Sequence, residues 1–141
     1  MGYRSEVAYI IEFESIELRN EYVAMILVHG GRLLEALEEC EIPEDSARIN
    51  FWCSDCKWYD SFEDVKAHVR LKEWAHQLYP EQCDWRFLRI GEESGDIDED
   101  GTYGNFDPSD DFYPVTSMEL PFSTGYKSFG DNRKEQNAQV K

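Results

Sequence analysis

The sequence predicts an α+β fold, a mostly antiparallel or mixed sheet of four to five strands with two to three helices packed on one face. Three observations predict it: an apolar alternation near the start, two later stretches with apolar residues three and four apart, and further β-branched and aromatic runs bounded by turn signals. At 141 residues, 41% hydrophobic and 14% aromatic, the chain has enough apolar material for one core. A single domain is expected over residues 1–122, with an acidic segment at 92–111 and a flexible tail at 123–141.

Residues 6–13 place Val7, Tyr9, Ile11 and Phe13 on one face, which predicts the first strand. Ser15 then offers an N-cap, and Leu18, Tyr22, Met25, Ile26 and His29 recur at helical spacing until Gly30 and Gly31 stop the run. Leu33, Leu34, Leu37 and Cys40 predict a short second helix ending before Pro43, with Glu35, Glu38 and Glu39 toward water. A loop through residues 43–46 leads to a second strand over 47–58, in which Ile49, Phe51 and Cys53 face one way. Ser61 and Asp64 have the spacing of a capping box for a third helix reaching about Leu78. The apolar face expected of that helix is Val65, Val69 and Trp74 with Leu71 and Leu78. Residues 85–90 predict a third strand, with Trp85 and then either Phe87 or Leu88 turned inward.

Beyond Gly91 the periodicity leaves two alternatives for residues 96–103, a return strand or an irregular ion-binding loop. Residues 112–122, interrupted by Pro114 and Pro121, suit one more edge strand or an extended arm.

Charge narrows the function classes. Thirty acidic against 14 basic residues give a formal net charge of -16, which disfavours direct contact with nucleic acid or an anionic membrane and favours basic protein surfaces. Nine carboxylates fall between Glu92 and Asp111 with no Lys or Arg among them. The start lacks the charged-then-apolar layout of a signal peptide and no apolar run is long enough to span a bilayer, so a cytoplasmic protein with reduced thiols is expected.

Asp96, Asp98, Asp100 and Gly101, followed by Asp107, fit a calcium-loop template whose last acid is Asp in place of Glu, making these four carboxylates candidate calcium or magnesium ligands. A strand pattern and Gly91 precede that stretch and Pro108 follows it, where an EF-hand needs flanking helices. Cys53 and Cys56 have the spacing of half a zinc site, with His68, His76 and Cys83 downstream. Two cysteines three apart on a strand point to opposite faces, so a chelating pair needs a tight turn at Ser54 and Asp55. His29, His68 and His76 read as capping or half-exposed polar residues, and no nucleophile, general base or phosphate loop is recognisable. No catalytic residue is therefore assigned, and no enzyme activity or resident cofactor is expected.

Most of the aromatic residues Trp52, Trp58, Tyr59, Trp74, Trp85, Tyr103, Phe106, Phe112 and Tyr113 must fill the core. Any left exposed beside the acids would join carboxylates to rigid anchors, a composition suited to gripping a basic partner. The expected contacts are Glu92, Glu93, Asp96, Asp98, Glu99, Asp100, Asp110 and Asp111. Homodimerisation through an edge strand is a further possibility.

The opening Met1-Gly2-Tyr3-Arg4-Ser5-Glu6-Val7, with Lys57-Trp58-Tyr59-Asp60-Ser61 and Arg89-Ile90-Gly91-Glu92, resembles a group of small uncharacterised acidic proteins of bacteriophages and their bacterial hosts. The resemblance covers roughly residues 1–100 and implies no activity. It does imply a phage setting, the cytoplasm of an infected host, in which small acidic accessory proteins bind and disable host proteins, some by mimicking DNA. A non-enzymatic inhibitor of a host nucleic-acid-binding factor is the function expected, with a divalent-metal or small structural zinc domain as the alternative.

Overall fold

A computed structural model of the chain describes residues 3–102 and 128–130. Asp107, Asp110, Asp111, Tyr103, Phe106, Phe112, Tyr113, the candidate strand at 112–122 and most of the tail expected at 123–141 lie outside the described residues. The elements are β1 (Ser5–Phe13), α1 (Ile16–His29), α2 (Gly31–Glu38), β2 (Arg48–Cys56), α3 (Glu63–Leu78), β3 (Cys83–Gly91) and β4 (Ile97–Gly101). They build the predicted α+β architecture, a four-stranded antiparallel sheet in the order β2-β1-β3-β4.

Central β1 carries the pattern that organises the core. Val7, Tyr9, Ile11 and Phe13 join one apolar cluster with Tyr22, Val23 and Ile26 of α1, Leu33, Ala36 and Leu37 of α2, and Ala67, Leu71 and Ala75 of α3. Each large side chain removed from water there contributes about 2 kcal/mol. The opposite face of β1 is buried too, with Ala8 and Ile10 essentially inaccessible.

Ser15 caps α1 as expected, its Oγ accepting a hydrogen bond from Leu18 N at 3.2 Å, and Gly30 takes the positive φ of 68° that ends the helix. Arg19 is an unexpected core residue. Only 3% exposed, it donates to the carbonyls of Pro43, Ser46 and Arg48 at 2.7, 2.9 and 3.1 Å and so fastens the loop before β2 to α1.

The start of α3 corrects the sequence reading. Its N-cap is Phe62, whose side chain makes no capping bond, and Asp64 Oδ1 accepts from Val65 N at 2.9 Å without reaching back to Ser61. The helix begins one residue too late for a Ser61–Asp64 box to close. Its buried stripe is Val65, Ala67, His68, Leu71, Lys72 and Ala75, while Val69 and Trp74 are half-buried and Leu78 is 48% exposed. The stripe is rotated because two polar residues, His68 and Lys72, sit inside it, and apolar counting alone passes over them. Phe129, placed by sequence in the tail, packs against the core and donates its N–H to Cys40 O at 2.6 Å.

Arg19→Met removes the donors to three carbonyls and should lower stability by about 2–3 kcal/mol, whereas Ser15→Ala should cost about 1 kcal/mol. Urea unfolding followed by far-UV circular dichroism measures both, and equal losses would show that Arg19 is not the fastener described.

Candidate functional site

Antiparallel pairing transmits the side-chain direction of β1 across the sheet. Phe51, Tyr9, Phe87 and Asp100 form one cross-strand row, and Cys53, Val7, Arg89 and Asp98 form the next. Both rows face the helices. Each begins in apolar or thiol side chains and ends on β4 in a carboxylate, at the edge of the sheet.

Between α3 and the β3–β4 edge this geometry leaves a groove of about 680 Å³. Trp85 and Phe87 of β3 form its floor; Val69, Lys72 and Glu73 its helical wall; Asp98, Glu99 and Asp100 of β4 its outer rim; and Tyr3, Trp58, Tyr59, Asp60, Arg89 and Asp96 complete the lining. Trp58 lies over Phe87 with ring centroids 6.2 Å apart.

The acidic stretch therefore resolves in favour of the return strand. Residues 97–101 are extended and paired with β3, not wrapped as an ion-binding loop. Two of the carboxylates proposed as calcium ligands and as partner contacts are already engaged: Arg89 holds Asp96 Oδ1 and Asp98 Oδ2, each at 2.7 Å from Nη2. These hydrogen bonds push the Arg89 guanidinium further up and, together with the Tyr3 hydroxyl, hold the Asp96 carboxyl below its usual range. Tyr3 Oη donates to Asp96 Oδ2 at 2.6 Å and accepts from Glu93 N at 2.9 Å, while Glu92 Oε1 accepts from Arg4 N at 2.7 Å. The N-terminal segment thus clamps the turn, and a Cβ at Gly91 would displace the Asp96 carboxylate and the Tyr3 hydroxyl from that clamp. Glu93, Glu99 and Asp100 remain exposed. Among the described residues no three His, Cys, Asp or Glu side chains gather as a metal-binding group.

Two site residues were missed by sequence reasoning. Lys72 is 4% exposed, with Nζ 4.1, 4.8 and 5.0 Å from the ring centroids of Phe87, Trp85 and Tyr9. Burial lowers its ammonium to about 8, against the partial opposing pull of Asp100 and Glu73. His68, expected half-exposed, is 2% exposed. Its Nδ1 lies 2.6 Å from Tyr9 Oη and its Nε2 3.1 Å from Glu39 Oε1, and its ring sits 4.2 Å from that of Phe51. Burial there is tolerated because both ring nitrogens are satisfied. The signal for both was the helical spacing of residues 65, 68, 72 and 75, which shares one face.

Cys53 and Cys56 are brought together by a bulge. Ser5 pairs with Cys56 and Val7 with Cys53, so two residues of β2, Ser54 and Asp55, stand opposite one of β1, Glu6, and Asp55 takes φ 54°. The tight turn needed at Ser54 and Asp55 is present. Both cysteines consequently pack on the helix side. Cys56 Sγ donates to Ser5 O at 3.2 Å and Cys53 Sγ to Ser54 O at 3.9 Å; the neighbouring Cys53 thiol holds the Cys56 thiol below its ordinary range, while Cys53 is itself pushed up. Cys40 is pushed up to about 12 by burial, and burial raises Cys83 as well.

Comparison with family models, curated proteins and solved structures gave no match.

Two outcomes are expected. Lys72 has a folded value of about 8 against an ordinary 10.5, so between those values the unfolded chain binds more protons and the contribution of this residue to stability rises with pH. Below pH 8 its penalty is fully present. Lys72→Met should then be more stable than wild type by a margin greatest below pH 8 that narrows by roughly 3 kcal/mol by pH 10.5, read from paired urea titrations. Iodoacetamide at pH 8 should alkylate Cys56 ahead of Cys53, with Cys40 and Cys83 unreactive until the chain unfolds, as peptide mass spectrometry would report.

Proposed function

We propose that this protein is a non-enzymatic binding module that grips a basic segment of another protein in the groove between α3 and the β3–β4 edge. The observation that carries the reading is the union of an acidic rim, Asp98, Glu99 and Asp100, with an aromatic floor, Trp85 and Phe87, in one groove. A Lys or Arg side chain entering it meets carboxylates at the mouth for its charge and the aromatic floor beside Lys72 for its apolar stem. The net charge of -16 steers such a partner toward the protein from a distance and strengthens the interaction most at low salt.

The resemblance to small phage proteins would make the partner a host protein, and a host factor that normally holds nucleic acid would have the basic surface required. Inhibition then follows from occupancy of that surface. Mimicry of a phosphate backbone would rest on Glu93, Glu99 and Asp100, since Asp96 and Asp98 are tied to Arg89.

Trp58 and Trp85 lie in the groove, so intrinsic fluorescence reports its occupancy. Titration with a Lys- and Arg-rich peptide should change the emission, an acidic peptide of equal length should not, and raising salt from 50 to 500 mM should weaken binding at least tenfold, as expected for an exposed ionic interface. Glu99→Lys with Asp100→Lys should abolish the response. Equal binding of both peptides, or an unchanged response in the double variant, would overturn the proposal.

A further inference from the structure

Lys72 has a chemistry that grip on a basic segment does not use. Its side chain is 4% exposed, yet it forms part of the groove wall, and among the described residues no carboxylate lies within ion-pair distance of Nζ. The amine instead faces the rings of Phe87, Trp85 and Tyr9. An amine kept out of water without a counter-ion is easily deprotonated, and its neutral form is a nucleophile.

We infer that the groove is a carbonyl-capture site in which Lys72 Nζ condenses reversibly with an aldehyde carried by an aromatic ligand that is neutral or cationic. The nitrogen lone pair attacks the carbonyl carbon, forming the C–N bond. The two protons of the amine leave with the carbonyl oxygen as water, and a C=N bond remains. The floor of Trp85 and Phe87 suits a planar ring, and Asp98, Glu99 and Asp100 disfavour an anionic substituent on it. This inference shares the groove with the proposed function but does not rest on it, because it requires only Lys72 and its surroundings.

Burial lowers the Lys72 ammonium to about 8, so near that pH about half of it is neutral. A solvated lysine with the ordinary value of 10.5 is neutral in only about one molecule in 300 at pH 8. The titratable groups that face Lys72 are Tyr9 from β1, Asp100 from β4 and Glu73 on its own helix.

The test is reductive trapping of the full chain with benzaldehydes carrying a para-trimethylammonium or a para-sulfonate group, with cyanoborohydride as hydride donor, from pH 6 to 10.5. Hydride reduces the imine carbon and fixes the label as a secondary amine, which peptide mass spectrometry locates. The expected result is label on Lys72 with a midpoint near pH 8, about a hundredfold ahead of exposed Lys57 and Lys66 at that pH, and faster with the cationic probe. The terminal amine falls in a different peptide. Lys72→Arg should lose this label while keeping the far-UV spectrum. Should that variant fail to fold, the pH midpoint on the wild-type chain decides. Label spread over Lys57 and Lys66 with no preference for Lys72, or equal rates for the two probes, would overturn the inference. Failure of basic peptides to bind would leave it standing, so the two readings fall separately.

Discussion

In β1 every second side chain points toward the helices, and antiparallel pairing hands that direction to β2, β3 and β4 in turn. Tyr9 stands at the centre of this arrangement. Its ring stacks on Phe51 at 5.1 Å and supports Lys72, and its hydroxyl reaches His68. A slip of one residue between β1 and β3 would turn Trp85, Phe87 and Arg89 to the opposite face and remove the floor of the groove together with the anchor of the acidic strand. The tolerance of such a sheet to error is set by how deeply Val7, Tyr9, Ile11 and Phe13 are buried, and all four are essentially inaccessible. The register that stabilises the core is thereby the register that places the site.

Electrostatics divides the groove into two regimes. At the rim, carboxylates are solvated and their mutual repulsion is screened, and the Arg89 fork offsets one of the two charges of Asp96 and Asp98. One turn deeper, Lys72 has lost its water and gained only ring faces, so desolvation outweighs the attraction of Asp100 and Glu73. A molecule of such strong overall acidity thus holds a buried amine in the wall of a groove rimmed by carboxylates. The Tyr9–His68–Glu39 chain does the opposite: the Tyr9 hydroxyl and both ring nitrogens of His68 find partners, and Tyr9 is held firmly beneath the groove.

Most of the fold was legible because it is written in local periods. The alternation of residues 7, 9, 11 and 13, the Ser15 cap, the glycines after His29 and the breaks at Pro43 and Gly91 each act within a few residues. The site was less legible because it is made across strands. The acidic stretch was visible as charge, but nothing local distinguishes a hairpin from an ion-binding loop; the decision rests with Arg89 and Tyr3, seven or more residues away. Lys72 and His68 were overlooked because hydrophobic counting treats polar residues as outward-facing. The long stem of Lys72 fills core volume as well as an aliphatic residue does, and the imidazole of His68 is accepted once both nitrogens are bonded. At Ser61 the local signal was present, but the chain enters α3 from Phe62 and the pattern goes unused.

Strand β4 has a consequence beyond the groove. Among the described residues no strand pairs with its outer side, so it presents an open ladder of the kind that invites another sheet to add on. Ile97, 53% exposed, makes that invitation stronger. Asp98, Glu99 and Asp100 answer it, since a second copy approaching edge to edge would bring its own three carboxylates against them. The three carboxylates thereby work as an electrostatic guard between copies of the chain, and acid, which would discharge the strand, would leave its open ladder without that guard.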